Sequence, residues 1–182
     1  YEIEDYRLDY NDTADVKDYF KNHDLEQTPR INKIGIEKFR DKVVLDFGCG
    51  GGSFLDSIKG IAKKTIAVEP FIGYHESLKL RGHEVYSDIL DCSHLNSKID
   101  IVISFGVIEH INTPLEYLKN AYSILKPKGK MFIETDNLDD ILVKLGFKEF
   151  EPFYYRTVHS YYFNVKSLNS LSKKAGFNKV NT

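Results

Sequence analysis

The chain has 182 residues, enough for one domain with a sizeable core, and 42% of them are apolar, an ordinary globular share. A formal net charge of −2 argues against a whole-domain electrostatic grip on nucleic acid and leaves only a local basic patch open. Cys49 and Cys92 are too few for a disulfide scaffold, so reduced thiols in a cytoplasmic setting are expected. No apolar run approaches the ~20 residues of a membrane-spanning helix, and no charged-then-apolar leader opens the sequence. The chain starts at Tyr1 rather than Met and stops soon after Gly176-Phe177, which reads as a piece of a longer protein.

In chain order, residues 1–40 form a first segment, acidic and tyrosine-rich, then helical over 28–39. It is expected to be a helical or lid-like segment preceding a domain over 41–182. From Lys42 onward strand and helix patterns alternate. A β-branched run at 43–45 stops at a glycine cluster, and 53–58 reads as a short helix. Strands are expected at 65–68 and 84–86, with a helix at 73–80 between them, ended by Arg81-Gly82. The continuous apolar run at 99–104 is typical of a strand buried on both faces. Leu115, Leu118, Tyr122 and Leu125 have helical spacing behind a Thr113-Pro114 start; Pro127 and Gly129 close that helix ahead of a fifth strand at 130–134. Gly176-Phe177 reads as the start of one more strand. Strands separated by helices imply right-handed parallel βαβ units, hence an α/β open, doubly wound, mostly parallel sheet.

Residues 147–163 hold eight aromatics: Phe147, Phe150, Phe153, Tyr154, Tyr155, Tyr161, Tyr162 and Phe163. They serve either to pack a long connection or, with residues 1–25, to cover a ligand pocket. The sharpest motif is Leu45-Asp46-Phe47-Gly48-Cys49-Gly50-Gly51-Gly52, between a strand and a helix. Glycines are needed where the backbone takes positive φ or where no Cβ is tolerated near a ligand. Asp46 then lies at the carboxyl end of the first strand, the crevice where open α/β sheets bind ligands. The pattern is G-x-G-x-G, since Ser53 stands where a dinucleotide loop wants its third glycine. Glu69 follows 21 positions after Gly48 and can accept from both hydroxyls of a ribose. Asp88, after the third strand, can accept from an adenine amino group or cap a helix.

These motifs, together with Ala67-Val68-Glu69-Pro70, Ser87-Asp88, the stretch 101–111 and Leu125-Lys126-Pro127-Lys128-Gly129-Lys130, resemble the class I S-adenosylmethionine-dependent methyltransferases over residues 40–180. The resemblance implies S-adenosyl-L-methionine as cofactor. It implies that Asp46, Gly48, Gly50, Glu69, Asp88, Ser104 and Phe105 line the cofactor site. It also implies a final antiparallel strand pair, which this chain is expected to lack or hold only in part. Glu109-His110 is similar to the small-molecule enzymes of the ubiquinone-biosynthesis type. Arg156 to Phe163 is similar to enzymes of surface-glycan and natural-product pathways. His159 is therefore expected as the general base, His110 as the second choice, and Tyr161 and Tyr162 as substrate walls. The expected acceptor is a small-molecule hydroxyl. A further echo, small-RNA 2′-O-methyltransferases with a magnesium site, matches Glu109, His110 and His159. Gly106 replaces its first carboxylate, so no metal is expected. A nicotinamide dehydrogenase and a non-catalytic binding module remain as rival classes.

Overall fold

The structure is a computed structural model and describes residues 16–146 and 154–181. Its secondary structure runs α1 (Val16–Ile34), β1 (Val43–Phe47), α2 (Ser53–Ile58), β2 (Lys64–Val68), α3 (His75–Leu80), β3 (Glu84–Tyr86), β4 (Ile99–Phe105), α4 (Pro114–Ile124), β5 (Leu125–Glu134), α5 (Ile141–Lys144) and α6 (Val165–Lys174). Five strands form one sheet in the order β3-β2-β1-β4-β5. β1 pairs in parallel with β2 on one side and β4 on the other, and β2 pairs in parallel with β3. The α/β sheet expected from the sequence is thus present, and among the described residues it has five strands. The chain divides into two compact units. Among the described residues, one comprises 16–104 and 124–132, the other 105–123, 133–146 and 154–181.

The first unit is the sheet body. Val44, Leu45, Ile66, Ala67, Val102 and Ile103 are buried, as β-branched and aliphatic runs on a two-sided sheet should be. Leu55 and Ile58 of α2 and Leu78 of α3 are fully buried. Phe39 is also inaccessible, edge-on to Phe54 at 5.6 Å between ring centres and 6.4 Å from Phe132.

Three expectations are corrected here. The helix placed at 28–39 instead runs from Val16 through Pro29 to Ile34. Gly35, at φ 91°, ends it, and a 3₁₀ turn over Ile36–Phe39 follows. Buried Gln27 and Ile34 anchor the helix on either side of Pro29. The 73–80 helix splits into a 3₁₀ turn, Ile72–Tyr74, and α3. Pro127 and Gly129 do not separate helix from strand, because β5 begins directly at Leu125. Lys128 takes φ 70° and bends the strand. A Cβ at Gly129 would press on the carbonyls of Lys126 and Asp100, so glycine is required where the two backbones approach. Asp100 pins the spot further, accepting from the Val43 amide (2.9 Å) and pairing with Lys126 (2.8 Å).

The second unit holds most of α4, the end of β5, and α5 and α6. Asn164 and Ser167 close a reciprocal capping box at the start of α6. The expected strand at Gly176-Phe177 is a correction of the same kind. Gly176 (φ 111°) donates to Lys173 and Phe177 to Ser172, a Schellman ending in which the glycine is the stop signal of α6. Phe177 then stacks edge-on against Tyr122 at 5.2 Å.

Candidate functional site

In the first unit the carboxyl edge of the sheet gathers the residues singled out in the sequence. Register places Phe47 beside Val68 and Ser104, so the glycine loop, Glu69 and Ser104 leave the sheet at one level, where the strand order reverses. Gly48, Gly50 and Gly52 have φ of 64°, 56° and 91°, the left-handed values that call for glycine. Glu69 is buried, and its two oxygens accept from the amides of Gly50 (2.8 Å) and Phe71 (2.9 Å). The acid expected to hold a ribose therefore also clamps the loop. Asp46 is buried as well. Burial, assisted by the charge of Glu69, pushes its carboxyl up to about 7 against the opposing pull of Arg30.

Sequence reading missed the inner face of α1. Tyr19, His23, Gln27 and Arg30 recur at helical spacing. Tyr19 lies against the glycine loop and its hydroxyl donates to the Cys49 carbonyl at 3.3 Å. A Cβ at Gly50 or Gly51 would collide with its ring. Burial drives the Tyr19 phenol far above its usual range. Misplacing the start of α1 hid this face; a helix begun at Val16 would have shown it. Arg81 was missed too. It pairs with Asp56, donates to the Gly51 carbonyl and lies over the Phe20 ring. His83 and Lys59 complete the cluster around Asp56. Burial raises the Asp56 carboxyl, but bonds from His83 and Lys59 and the charge of Arg81 outweigh it, leaving a value of about 2.

Asp88 is exposed, and one of its oxygens caps the 3₁₀ segment Ile89–Leu95 through the Leu90 amide (2.8 Å). The capping alternative is thus realised in the structure. Buried carboxylates at the ends of β1 and β2, around a loop of left-handed glycines, fit a ligand with a ribose and an amino-acid end.

In the second unit, Phe105 is half-buried at the end of β4. The following turn brings Glu109 and His110 to His159. Their ligand atoms lie within 4.8 Å of one another. The imidazole rings are edge-on with centres 4.8 Å apart. The backbone does the positioning: the Glu109 carbonyl accepts from the amides of Ser160 (2.8 Å) and Tyr161 (3.1 Å). Ser160 Oγ donates to Asn112 Oδ1 at 2.9 Å. His110 Nδ1 meets the Val158 carbonyl at 3.2 Å. Burial raises the Glu109 carboxyl and lowers both imidazoles. Tyr161 and Tyr162 spend their hydroxyls locally, on the Asn112 and Arg156 carbonyls. Tyr162 also packs with Tyr154, Tyr155 and His159, so the described part of the aromatic segment is a ring cluster. Phe147, Phe150 and Phe153, with residues 1–15 of the expected cover, lie outside the described residues.

Among relatives, the chain is 30% identical over 119 residues to the tRNA U34 carboxymethyltransferase of Campylobacter curvus, covering 61% of this chain and 38% of that one. It is 29% identical over 117 residues to the mitochondrial ubiquinone biosynthesis O-methyltransferase of Rattus norvegicus, covering 57% and 33%. The chain thus spans about a third of the length of these two curated proteins. Its fold is similar to the crystal structure of Burkholderia thailandensis 1,6-didemethyltoxoflavin-N1-methyltransferase with bound 1,6-didemethyltoxoflavin and S-adenosylhomocysteine. The TM-score there is 0.69 at 19% identity, over 98% of this chain and 77% of that one. Residues 19–182 match the family described as methyltransferase domain, and with its glycine loop, acid-tipped β2 and sheet order the chain belongs to that family, with S-adenosyl-L-methionine as its cofactor.

Proposed function

We propose that the protein methylates a hydroxyl oxygen on a small-molecule acceptor of the sugar or natural-product kind. The observation that carries this reading is the Glu109, His110 and His159 cluster. A hydroxyl acceptor must lose its proton, and imidazoles held neutral by burial can take one near neutral pH. When bound, S-adenosylmethionine supplies an already activated methyl group. The chain's residues then have to bind, align and exclude water. Glu69 and Asp46 are assigned to the cofactor's polar ends, Gly48 and Gly50 to its close approach, and Ser104, Phe105 and Asp88 to its flanks. His159 is assigned as base, with His110 behind it and Tyr161 and Tyr162 as acceptor walls. The net charge of −2 supports a small acceptor over a polyanion.

Two measurements test this. Calorimetry should show S-adenosylhomocysteine binding to the folded protein, and a radiolabelled methyl group should pass to hydroxylated small molecules. Transfer to RNA with none to any small hydroxyl compound would replace the acceptor assignment with a nucleic-acid one. No heat at millimolar ligand would remove the cofactor assignment itself.

A further inference from the structure

The glycine loop is held at three successive residues by three different elements. From α1, the Tyr19 hydroxyl donates to the Cys49 carbonyl (3.3 Å). From the end of β2, Glu69 accepts from the Gly50 amide (2.8 Å). From the end of α3, Arg81 Nη2 donates to the Gly51 carbonyl. The rest of the Arg81 guanidinium is occupied as well. Nη1 pairs with Asp56 of α2, Nε donates to the Ser77 carbonyl of α3 (3.2 Å), and Cζ lies 4.9 Å from the centre of the Phe20 ring of α1. Asp56 is in turn oriented from behind. Its Oδ1 accepts from His83 Nε2 (3.2 Å) and pairs with Lys59 (3.0 Å), while His83 Nδ1 meets the Thr65 hydroxyl of β2 (2.8 Å). A Thr-His-Asp chain has the members of a hydrolytic triad, but Thr65 and His83 are buried, so no substrate reaches it and its use lies in what it supports.

We propose that Arg81 is a positioning residue for S-adenosylmethionine: by holding the Gly51 carbonyl it keeps the glycine loop in its cofactor-binding conformation and couples that conformation to the docking of α1. Gly48, Gly50 and Gly52 take left-handed φ, and glycine backbones reach many other conformations at little cost. The shape of the loop therefore has to be imposed by its neighbours. Glu69 is assigned to the cofactor's ribose, and the Tyr19 ring covers Gly50 and Gly51, so both of those tethers lie where the ligand approaches. Arg81 holds the loop from the side of α2 and α3 instead. A Cβ at Gly52 would press on Leu78 and lie 3.5 Å from the guanidinium. One side chain here reaches a carboxylate and a carbonyl at once while its face stays against an aromatic ring. That calls for a planar fork, which an ammonium does not supply. A partly exposed ion pair alone contributes little; the bond to the loop carbonyl is what gives this one a functional consequence. A loop already held in its bound shape binds more tightly, because less order has to be imposed on it by the ligand. The inference rests on the cofactor assignment and not on the hydroxyl acceptor.

Arg81→Met keeps an apolar stem and removes the fork, whereas Arg81→Lys keeps the charge. Calorimetry measures S-adenosylhomocysteine affinity for both variants and the wild type, and hydrogen exchange is followed at 48–53 and 16–25 without ligand. The expected result for folded Arg81→Met is a Kd raised by about ten- to a hundredfold, the range of a charge-assisted hydrogen bond. Exchange should quicken in both segments, and Arg81→Lys should fall between Arg81→Met and the wild type. A merely structural Arg81 would lower the urea midpoint and leave the affinity of the folded protein unchanged, which overturns the proposal. Faster exchange that spares both segments overturns it too. If Arg81→Met does not fold, Arg81→Lys decides: wild-type affinity there overturns the proposal, and weakened affinity with faster loop exchange supports it. A wild-type protein that binds no S-adenosylhomocysteine removes the cofactor assignment and this proposal with it. Wild-type binding with no methyl passed to any small hydroxyl compound removes the acceptor assignment alone.

Discussion

Glu69 illustrates how one side chain serves two ends. It was singled out as the ribose partner, yet both its oxygens already hold backbone amides. Glu69→Ala would strand the buried Gly50 N–H donor and the part-buried one of Phe71, so urea denaturation should register a loss of about 1–3 kcal/mol without any ligand. Calorimetry on the surviving folded fraction should show weakened S-adenosylhomocysteine. Unchanged ligand affinity in that fraction would leave Glu69 with the structural role alone. Asp46 gives a pH signature. Its carboxyl sits at about 7 in the folded protein, chiefly through burial, against 3.8 ordinarily. Between roughly pH 4 and 7 the folded state thus holds the extra proton, and stability falls as pH rises through that window. The cost is fully present above 7, on the order of 2–4 kcal/mol. Ligand-free Asp46→Asn should lack this slope and gain on the wild type at pH 8. Parallel denaturation curves for the two proteins from pH 5 to 8 would show the assignment to be wrong.

At the scale of elements, α1 is the surprise. A helix was expected only over 28–39; the helix instead starts at Val16, passes through Pro29 and lays Tyr19 against Gly50 and Gly51. Tyr19→Ala should bare the loop, so backbone amides at 47–53 should exchange faster in the ligand-free protein. In the wild type, S-adenosylhomocysteine should change exchange across 16–25. Exchange indifferent to both the substitution and the ligand would reduce α1 to a packing element. The strands, by contrast, were legible because β-branched runs bounded by glycine and proline leave few alternatives. β5 was read late because Pro127-Lys128-Gly129 looks like a turn; only the closeness of Asp100 shows the chain bending there while staying in the sheet. Gly176-Phe177 was read as a strand because a Schellman ending and a strand start share a glycine before an aromatic.

For the whole molecule, the cofactor edge could be read from chain order, since the glycine loop and Glu69 each follow a strand and parallel strands end at one edge. The Glu109, His110 and His159 cluster could be named but not placed, because the last two lie 49 positions apart and only tertiary contacts, led by the Glu109 carbonyl's two backbone hydrogen bonds, unite them. The nature of that bond has a consequence for how such a scaffold diversifies. The turn bearing His159 hangs on the carbonyl of residue 109, a group every amino acid carries. Position 109 is therefore decoupled in the engineer's sense: a single codon change can swap its side chain while Ser160 and Tyr161 keep the same anchor. Other side chains of similar size can be tried at that buried point while the backbone anchor of the turn stays in place.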